Sequence, residues 1–389
     1  MPSRVAWVTN DLPPRTGGIQ QFVVNLLERT ADAGTLVLGP AGGSEAAAWD
    51  AGRPWRTERA PGPLLPTPRA ARWLARRLAV DRPDVVVIAS LWPLGLLAPR
   101  LRRAAGAPVL GLTHGAEAGL ARGPGRGVLR AVARDVDLVT TISDFTARPV
   151  AAALGADRVV RLPPGVDTAR FAPRPPDDPG RSALRRAWGI PPDAPVVGCV
   201  ARLVARKGQD VLLSAWPEVA ARHPDARLVI VGEGPRAGAL ARAVRRLGPA
   251  GAGVVLAGRV PWEHLPDAYA ALDVFAMPVR TRLAGLDVEG LGISFLEAIA
   301  TGLPVVVGTS GGAPETLLDP TVGTPVDGRD PAAVAAALDR WLGDPEGRRR
   351  VARVAPPLVR RWEWDRIAAE LADLIVVLAG GGAADAPTA

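Results

Sequence analysis

Short runs of valine, isoleucine and leucine alternate with amphipathic segments along almost the whole chain, and this alternation constrains the fold most. In the first part the strand-like runs are 5–9, 35–39, 84–90, 108–113 and 138–142. Helix-like segments fall between them at 19–33, 69–80, 94–104 and 127–135. Strands that are apolar on both faces belong in a parallel sheet covered by helices. A second series follows, with strands at 196–201, 227–231, 254–257, 273–277 and 304–307 and helices at 208–221, 236–247, 261–271 and 292–301. Between the series lie Leu162-Pro163-Pro164-Gly165-Val166-Asp167 and the proline-rich stretch 173–179, which read as a linker. The expected architecture is two doubly wound α/β domains, 1–168 and 169–361, with ligands held where the carboxyl ends of the two sheets face across a cleft. A length of 389 residues and 48% hydrophobic content leave room for both cores. A last helix spans 362–379, and the glycine- and alanine-rich 380–389 is expected to be disordered.

Composition removes several classes of function. The single cysteine, Cys199, cannot form an intramolecular disulfide, which suits a reducing compartment. No secretory signal is read at the start, where Val5 to Thr9 give way to Asn10 and Asp11. The longest apolar run, 85–99, is broken by Pro93 and falls short of the ~20 residues a bilayer span needs. Charge is uneven. Residues 1–168 hold 21 arginines against 14 carboxylates, whereas 169–389 hold 26 basic and 25 acidic side chains. The basic excess suits an anionic partner. Nucleic acid is disfavoured, because the basic residues are scattered without aromatic interleaving. The segment 69–78 reads as a basic amphipathic helix; its own pattern fits a solvated face packed by Trp73, Leu74 and Leu78 better than a membrane contact.

Of 47 basic residues, 46 are arginine and one is Lys207. Where arginine serves every generic need, one lysine suggests a place for a compact ammonium. Arg202 ends a strand and Lys207-Gly208 opens the next helix, so two cations five residues apart stand where a diphosphate could be held as it leaves. As a residue of a solvated cleft, Lys207 is expected to add little to stability. Glu289-Gly290-Leu291-Gly292-Ile293 leads into a helix that carries Glu297. The helix start offers free N–H groups to phosphate, Glu289 can reach sugar hydroxyls, and Glu297 can accept from a ribose. Gly17-Gly18 would let backbone N–H groups approach a phosphate, and His114 follows a strand, where active-site residues collect. Gly232-Glu233-Gly234-Pro235 departs from the dinucleotide fingerprint and reads as a turn before a helix. Asp135 and Asp137 form a D-x-D that reads as structural, and no other metal-ligand spacing is present.

These residues also carry a resemblance. Arg202 with Lys207-Gly208, Gly232-x-Gly234-Pro235 and Glu289-x7-Glu297 resemble the nucleotide-sugar site of retaining glycosyltransferases of family 4, which have the GT-B fold. The segments 8–20 and 278–290 are similar to those of actinobacterial phosphatidylinositol mannosyltransferases. The resemblance implies transfer of mannose from GDP-mannose, with retention and without a metal cofactor, to an anionic phosphatidylinositol mannoside at position 6 of inositol. It implies a first domain that binds acceptor, a second that binds donor, and a last helix that returns to the first. It places the protein in the cytoplasm, peripherally on the inner face of the plasma membrane. His114 and Glu289 would meet the transferred sugar, Glu297 the ribose, and backbone near Arg259 and Val260 the base. Pro149 departs from the family pattern and would kink the helix after Ser143. A family 4 enzyme with another donor or a soluble acceptor is the alternative, and a non-catalytic binding module is a third.

Overall fold

The computed structural model describes residues 4–15, 17–122 and 125–381. Two compact units divide the chain: one holds the residues up to Gly165 together with those from Trp364, the other spans Val166–Glu363.

The first unit is a seven-stranded parallel sheet of β1 (Val5–Val8), β2 (Leu36–Gly39), β3 (Arg56–Arg59), β4 (Val85–Ile88), β5 (Val109–Leu112), β6 (Leu138–Thr141) and β7 (Val159–Arg161). Its order is β3-β2-β1-β4-β5-β6-β7, so the direction of winding reverses between β1 and β4. β1, β2, β4, β5 and β6 are buried throughout, as strands covered on both faces must be. The charged β3 and short β7 lie at the edges, half exposed, which is why their sequence gives no apolar run. Helix Trp364–Ala379 packs on the face that holds Phe22, Leu26 and Leu27, burying Trp364, Ile367, Leu371, Leu374 and Leu378 at helical spacing. Trp364 meets the Phe22 ring edge-on at 5.8 Å, and Arg29 pairs with Asp365 at 2.6 Å. The helix begins at 364 rather than 362, because Trp362 belongs to a short 3-10 turn of the second unit. Helix Asp144–Leu154 runs on through Pro149.

The second unit repeats the topology with six parallel strands: β8 (Val196–Val200), β9 (Arg227–Val231), β10 (Val254–Gly258), β11 (Val274–Met277), β12 (Val305–Gly308) and β13 (Gly323–Val326). Their order is β10-β9-β8-β11-β12-β13, with the reversal between β8 and β11. One core joins the sheet to its helices through Trp216, Tyr269, Phe275 and Phe295. The proline-rich stretch is not a free linker. The units divide at Gly165, three residues before the expected 168, and Phe171 is buried against Tyr269. Pro179 opens helix Pro179–Ala187, with the Asp178 carboxylate accepting from the Arg181 N–H at 2.9 Å. The expected disordered tail lies mostly outside the described residues; Gly380 and Gly381 form a turn.

Candidate active site

In a doubly wound sheet, loops leaving the carboxyl ends of the strands meet beside the reversal of winding. In the second unit these are the loop after β8, with Arg202 and Lys207, and the loop after β11, which leads to Glu289. A 3-10 turn, Ala205–Lys207, turns the lysine inward, and Gly208 adopts a left-handed conformation (φ 77°). A Cβ on Gly208 would lie 2.0 Å from the Pro278 carbonyl oxygen, so only glycine lets the two loops approach. Lys207 Nζ lies 2.7 Å from Glu289 Oε2, and both side chains are about nine-tenths buried. The approach lies outside hydrogen-bond angles and is held by charge. Arg206 Nε stands 3.5 Å from the same oxygen, and its Nη1 lies 3.4 Å from Asp287. Burial alone would raise the Glu289 pKa, but the charges of Lys207 and Arg206 outweigh it and hold the carboxyl below its ordinary value. The Glu289 carbonyl accepts from Gly312 N–H at 3.1 Å. The expectation of a solvated lysine is therefore corrected: Lys207 is buried and paired.

Gly290 and Gly292 are buried and Ile293 is half-buried at the start of helix Ile293–Ala300. One turn into this helix, the buried Glu297 accepts from the Tyr269 hydroxyl at 2.5 Å. Burial pushes the Glu297 carboxyl up to about 7, against the opposing effects of the Tyr269 hydrogen bond and the charges of Arg170 and Lys207. Burial, then the charge of Glu297, holds the Tyr269 phenol well above its usual range. Burial pushes the Cys199 thiol up to about 12, so it is an inert core group. Arg202 is exposed and makes no ion pair among the described residues; its carbonyl accepts from Gln209 Nε2 at 3.1 Å. Arg259 is exposed and Val260 half-buried, just past β10. Gly232 and Gly234 serve close packing: a Cβ on Gly232 would lie 2.0 Å from the Ala201 carbonyl oxygen. Leu203 N–H donates to Glu233 at 2.9 Å and Arg236 N–H donates to Leu203 at 3.1 Å, fixing the backbone around Arg202.

In the first unit Gly17 precedes helix Gly18–Thr30, and a Cβ on either glycine would meet nothing within 4 Å. His114 follows β5. Its Nε2 lies 2.6 Å from the Ala89 carbonyl oxygen, which can only accept, so Nε2 carries a proton. Phe22 meets the imidazole edge-on at 5.3 Å. The buried Glu117 accepts from the backbone N–H groups of His114 (3.2 Å) and Trp92 (2.9 Å), fixing the loop after β5. Asp137 of the D-x-D is committed to Arg102 (2.5 Å) and Val109 N–H (2.8 Å). Among the described residues no three His, Cys, Asp or Glu side chains form a metal-holding group. Sequence reading missed Arg206, Asp287, Glu117 and Tyr269. The last had one available signal: it is the only tyrosine in the chain.

Comparison with known proteins agrees with this topology. A family model described as Glycosyltransferase Family 4 matches residues 16–170, and one described as Glycosyl transferases group 1 matches 180–356. The chain is 43% identical, over 95% of its length and 97% of the relative, to the GDP-mannose-dependent alpha-(1-6)-phosphatidylinositol monomannoside mannosyltransferase of Mycolicibacterium smegmatis. It is 39% identical, over 95% of its length and 96% of the relative, to the GDP-mannose-dependent monoacylated alpha-(1-6)-phosphatidylinositol monomannoside mannosyltransferase of Corynebacterium glutamicum. Among solved structures, HepE of Anabaena in complex with UDP and glucose matches with a TM-score of 0.80 at 19% identity, covering 97% of this chain and 100% of that one. Sucrose-phosphate synthase of Thermosynechococcus elongatus matches with a TM-score of 0.76 at 22% identity, covering 97% and 99%. These structural likenesses carry the fold alone. With near-complete coverage at 43% identity, the chain belongs to the family of these mannosyltransferases, glycosyltransferases of family 4 with two Rossmann-like units of GT-B type.

Proposed function

We propose that the protein transfers mannose from GDP-mannose to an alpha-(1-6)-phosphatidylinositol monomannoside, with retention at the anomeric carbon. The observation that carries the reading is the buried Lys207–Glu289 pair at the carboxyl edge of the second sheet, in a chain 43% identical to enzymes named for that reaction. The second unit holds the donor. Lys207, held beside Glu289 by charge, offers its ammonium donors to the diphosphate. Arg202 and the N–H groups at the start of helix Ile293–Ala300 add charge where the leaving group forms. Glu289 accepts from mannose hydroxyls, Glu297 from the ribose, and backbone at Arg259 and Val260 borders the base. The first unit holds the acceptor around Gly17, Gly18 and His114. The bond from mannose C1 to the β-phosphate oxygen breaks, a bond from C1 to the acceptor oxygen forms on the same face, and the acceptor proton passes to the departing phosphate. The cations do the work a metal does elsewhere, so activity survives EDTA. Loss of turnover that Mg²⁺ restores would overturn the metal-free reading.

The testing assay incubates the protein with radiolabelled GDP-mannose, UDP-glucose or GDP-glucose and either the lipid acceptor or inositol 3-phosphate. Label from GDP-mannose in a dimannosylated lipid is expected. Transfer from another donor, or to the soluble acceptor alone, would replace this reading.

The acceptor is a lipid, and among the described residues no helix is long and apolar enough to cross a membrane. Arg69, Arg72 and Arg76 on helix Pro68–Asp81 are exposed without ion pairs among the described residues. So are Arg100 and Arg103 on helix Ala98–Ala105, which packs against it, with Trp92 and Leu96 exposed nearby in sequence. This face supports peripheral docking on the anionic inner leaflet. Association with phosphatidylinositol vesicles should weaken as salt rises from roughly 0.05 to 0.5 M, where the Debye length shortens from roughly 14 to 4 Å. Binding indifferent to salt and to anionic lipid would remove this role.

A further inference from the structure

At the amino-terminal edge of the second sheet, the end opposite the donor loops, lies a cavity of about 500 Å³. Asp273 and Pro195 line it, immediately before β11 and β8. Four arginines also line it: Arg181, Arg185 and Arg186 from helix Pro179–Ala187, and Arg348 from helix Pro345–Val359. Among the described residues the carboxylates on its wall are Asp273 and Asp193.

The hydrogen bonds leave guanidinium donors over. Arg185 is consumed: it donates to the carbonyls of Ala271, Pro192 and Ala194, and its Nη2 lies 2.7 Å from Asp273 Oδ2. The same Asp273 oxygen accepts from Val196 N–H at 2.8 Å. Arg181 spends Nε and Nη1 on the Ala270 and Pro176 carbonyls, and its Nη2 comes no closer than 3.9 Å to Asp273. Arg348 spends Nη1 on the Trp341 and Leu342 carbonyls, at 2.5 and 2.8 Å. Arg186 makes no ion pair among the described residues. Burial depresses the Arg181 and Arg348 pKa values, and for Arg181 the neighbouring Arg185 adds to it, as expected of cations lacking a full counter-charge. The Ser182 side chain and the apolar Ile190, Pro192 and Pro195 complete the wall.

We propose that this cavity is a second ligand site, for a phosphate monoester of sugar size, whose phosphate sits among Arg181, Arg186 and Arg348 and whose organic part lies against Ile190 and Pro192. The guanidinium fork matches phosphate geometry, and the volume falls in the range of small-molecule sites rather than that of a lone ion. Because the strands are parallel, the site lies about one strand length from the donor loops, and its occupancy is separable from turnover.

The test is calorimetric titration of the full chain with glucose 6-phosphate and, separately, inorganic phosphate. The wild type is expected to bind the ester at least tenfold more tightly than the free ion. Arg186→Ser/Arg348→Gln should weaken ester binding at least tenfold, and Arg202→Ala, at the exposed cation of the donor loop, should leave it within twofold. Should Arg348→Gln disturb folding, Arg186→Ser alone, at an exposed position, should weaken binding about threefold. An ester that binds no tighter than inorganic phosphate overturns the assignment. So does an unchanged isotherm in the Arg186 and Arg348 variants, or binding lost only with Arg202→Ala.

Discussion

Lys207→Met lowers kcat/KM at least a thousandfold, a loss of ~4 kcal/mol of transition-state stabilisation. On the proposed function the lysine faces the negative charge that grows on the departing diphosphate, and it is buried, where one preorganised cation counts for more than it would in water. The same substitution also destabilises the fold. It leaves Glu289 buried with only the more distant Arg206, and removing one partner of a buried pair costs ~3 kcal/mol in comparable settings. Activity loss and folding loss would then be confounded, and the partner residue separates them. In Lys207→Met/Glu289→Gln neither charge is left uncompensated, so the urea midpoint should return most of the way to wild type while turnover does not recover. Chemical denaturation and GDP-mannose turnover on the four proteins of this cycle decide it. Wild-type turnover in Lys207→Met, or recovery of turnover together with stability in the double variant, would reduce the pair to a structural strut. The pH response has a defined sign. Glu289 is held below its ordinary pKa, so the pair contributes stability above the unfolded-state pKa of about 4.5 and loses it as pH falls further.

The interior strands were legible because burial on both faces demands continuous apolar runs, and each run read as a strand on that ground contains one. β3, β7 and β13 were not: Arg56-Thr57-Glu58-Arg59 serves an edge, where one side needs no cover, and Pro325 in β13 reads as a strand breaker although an edge strand tolerates it. The candidate site was partly legible from local signals. Lysine scarcity marked Lys207, and glycine context marked Glu289 and Glu297. What the sequence could not carry was pairing. Lys207 and Glu289 lie 82 positions apart and meet only because β8 and β11 are neighbours at the reversal of winding. For the same reason a cation expected to face solvent proves buried. Tyr269 was read only as part of the helix 261–271, since nothing local says that its hydroxyl meets a carboxylate 28 positions on. The arginine-lined cavity drew no notice because single arginines in an arginine-rich chain carry no signal until their partners are counted.

Affinity for the donor should rise, and the stability of the empty protein should fall, as pH climbs through 7, both through Glu297. In the folded chain its carboxyl sits at about 7, against 4.5 for an ordinary glutamate. Between those values the unfolded chain is ionised while the folded chain still binds the proton. Stability is therefore full below 4.5, declines across the window and levels off above 7, by at most ~3 kcal/mol. A ribose hydroxyl donates best to the ionised carboxylate, so on the proposed function the form that costs the empty fold most is the form expected to bind the donor. Glu297→Gln keeps an acceptor for the Tyr269 hydroxyl, flattens the stability slope and weakens GDP-mannose binding roughly tenfold to a hundredfold at pH 8. Tyr269→Phe acts in the opposite sense on the titration. It removes a hydrogen bond that lowers the Glu297 pKa, so the donor-affinity midpoint moves above 7 while the plateau at high pH is nearly reached. Donor titrations and urea melts from pH 5 to about 9 on the three proteins read both effects. A midpoint near 4.5 in the wild type, or one that Tyr269→Phe lowers, would show that burial of this carboxyl does not govern the donor site.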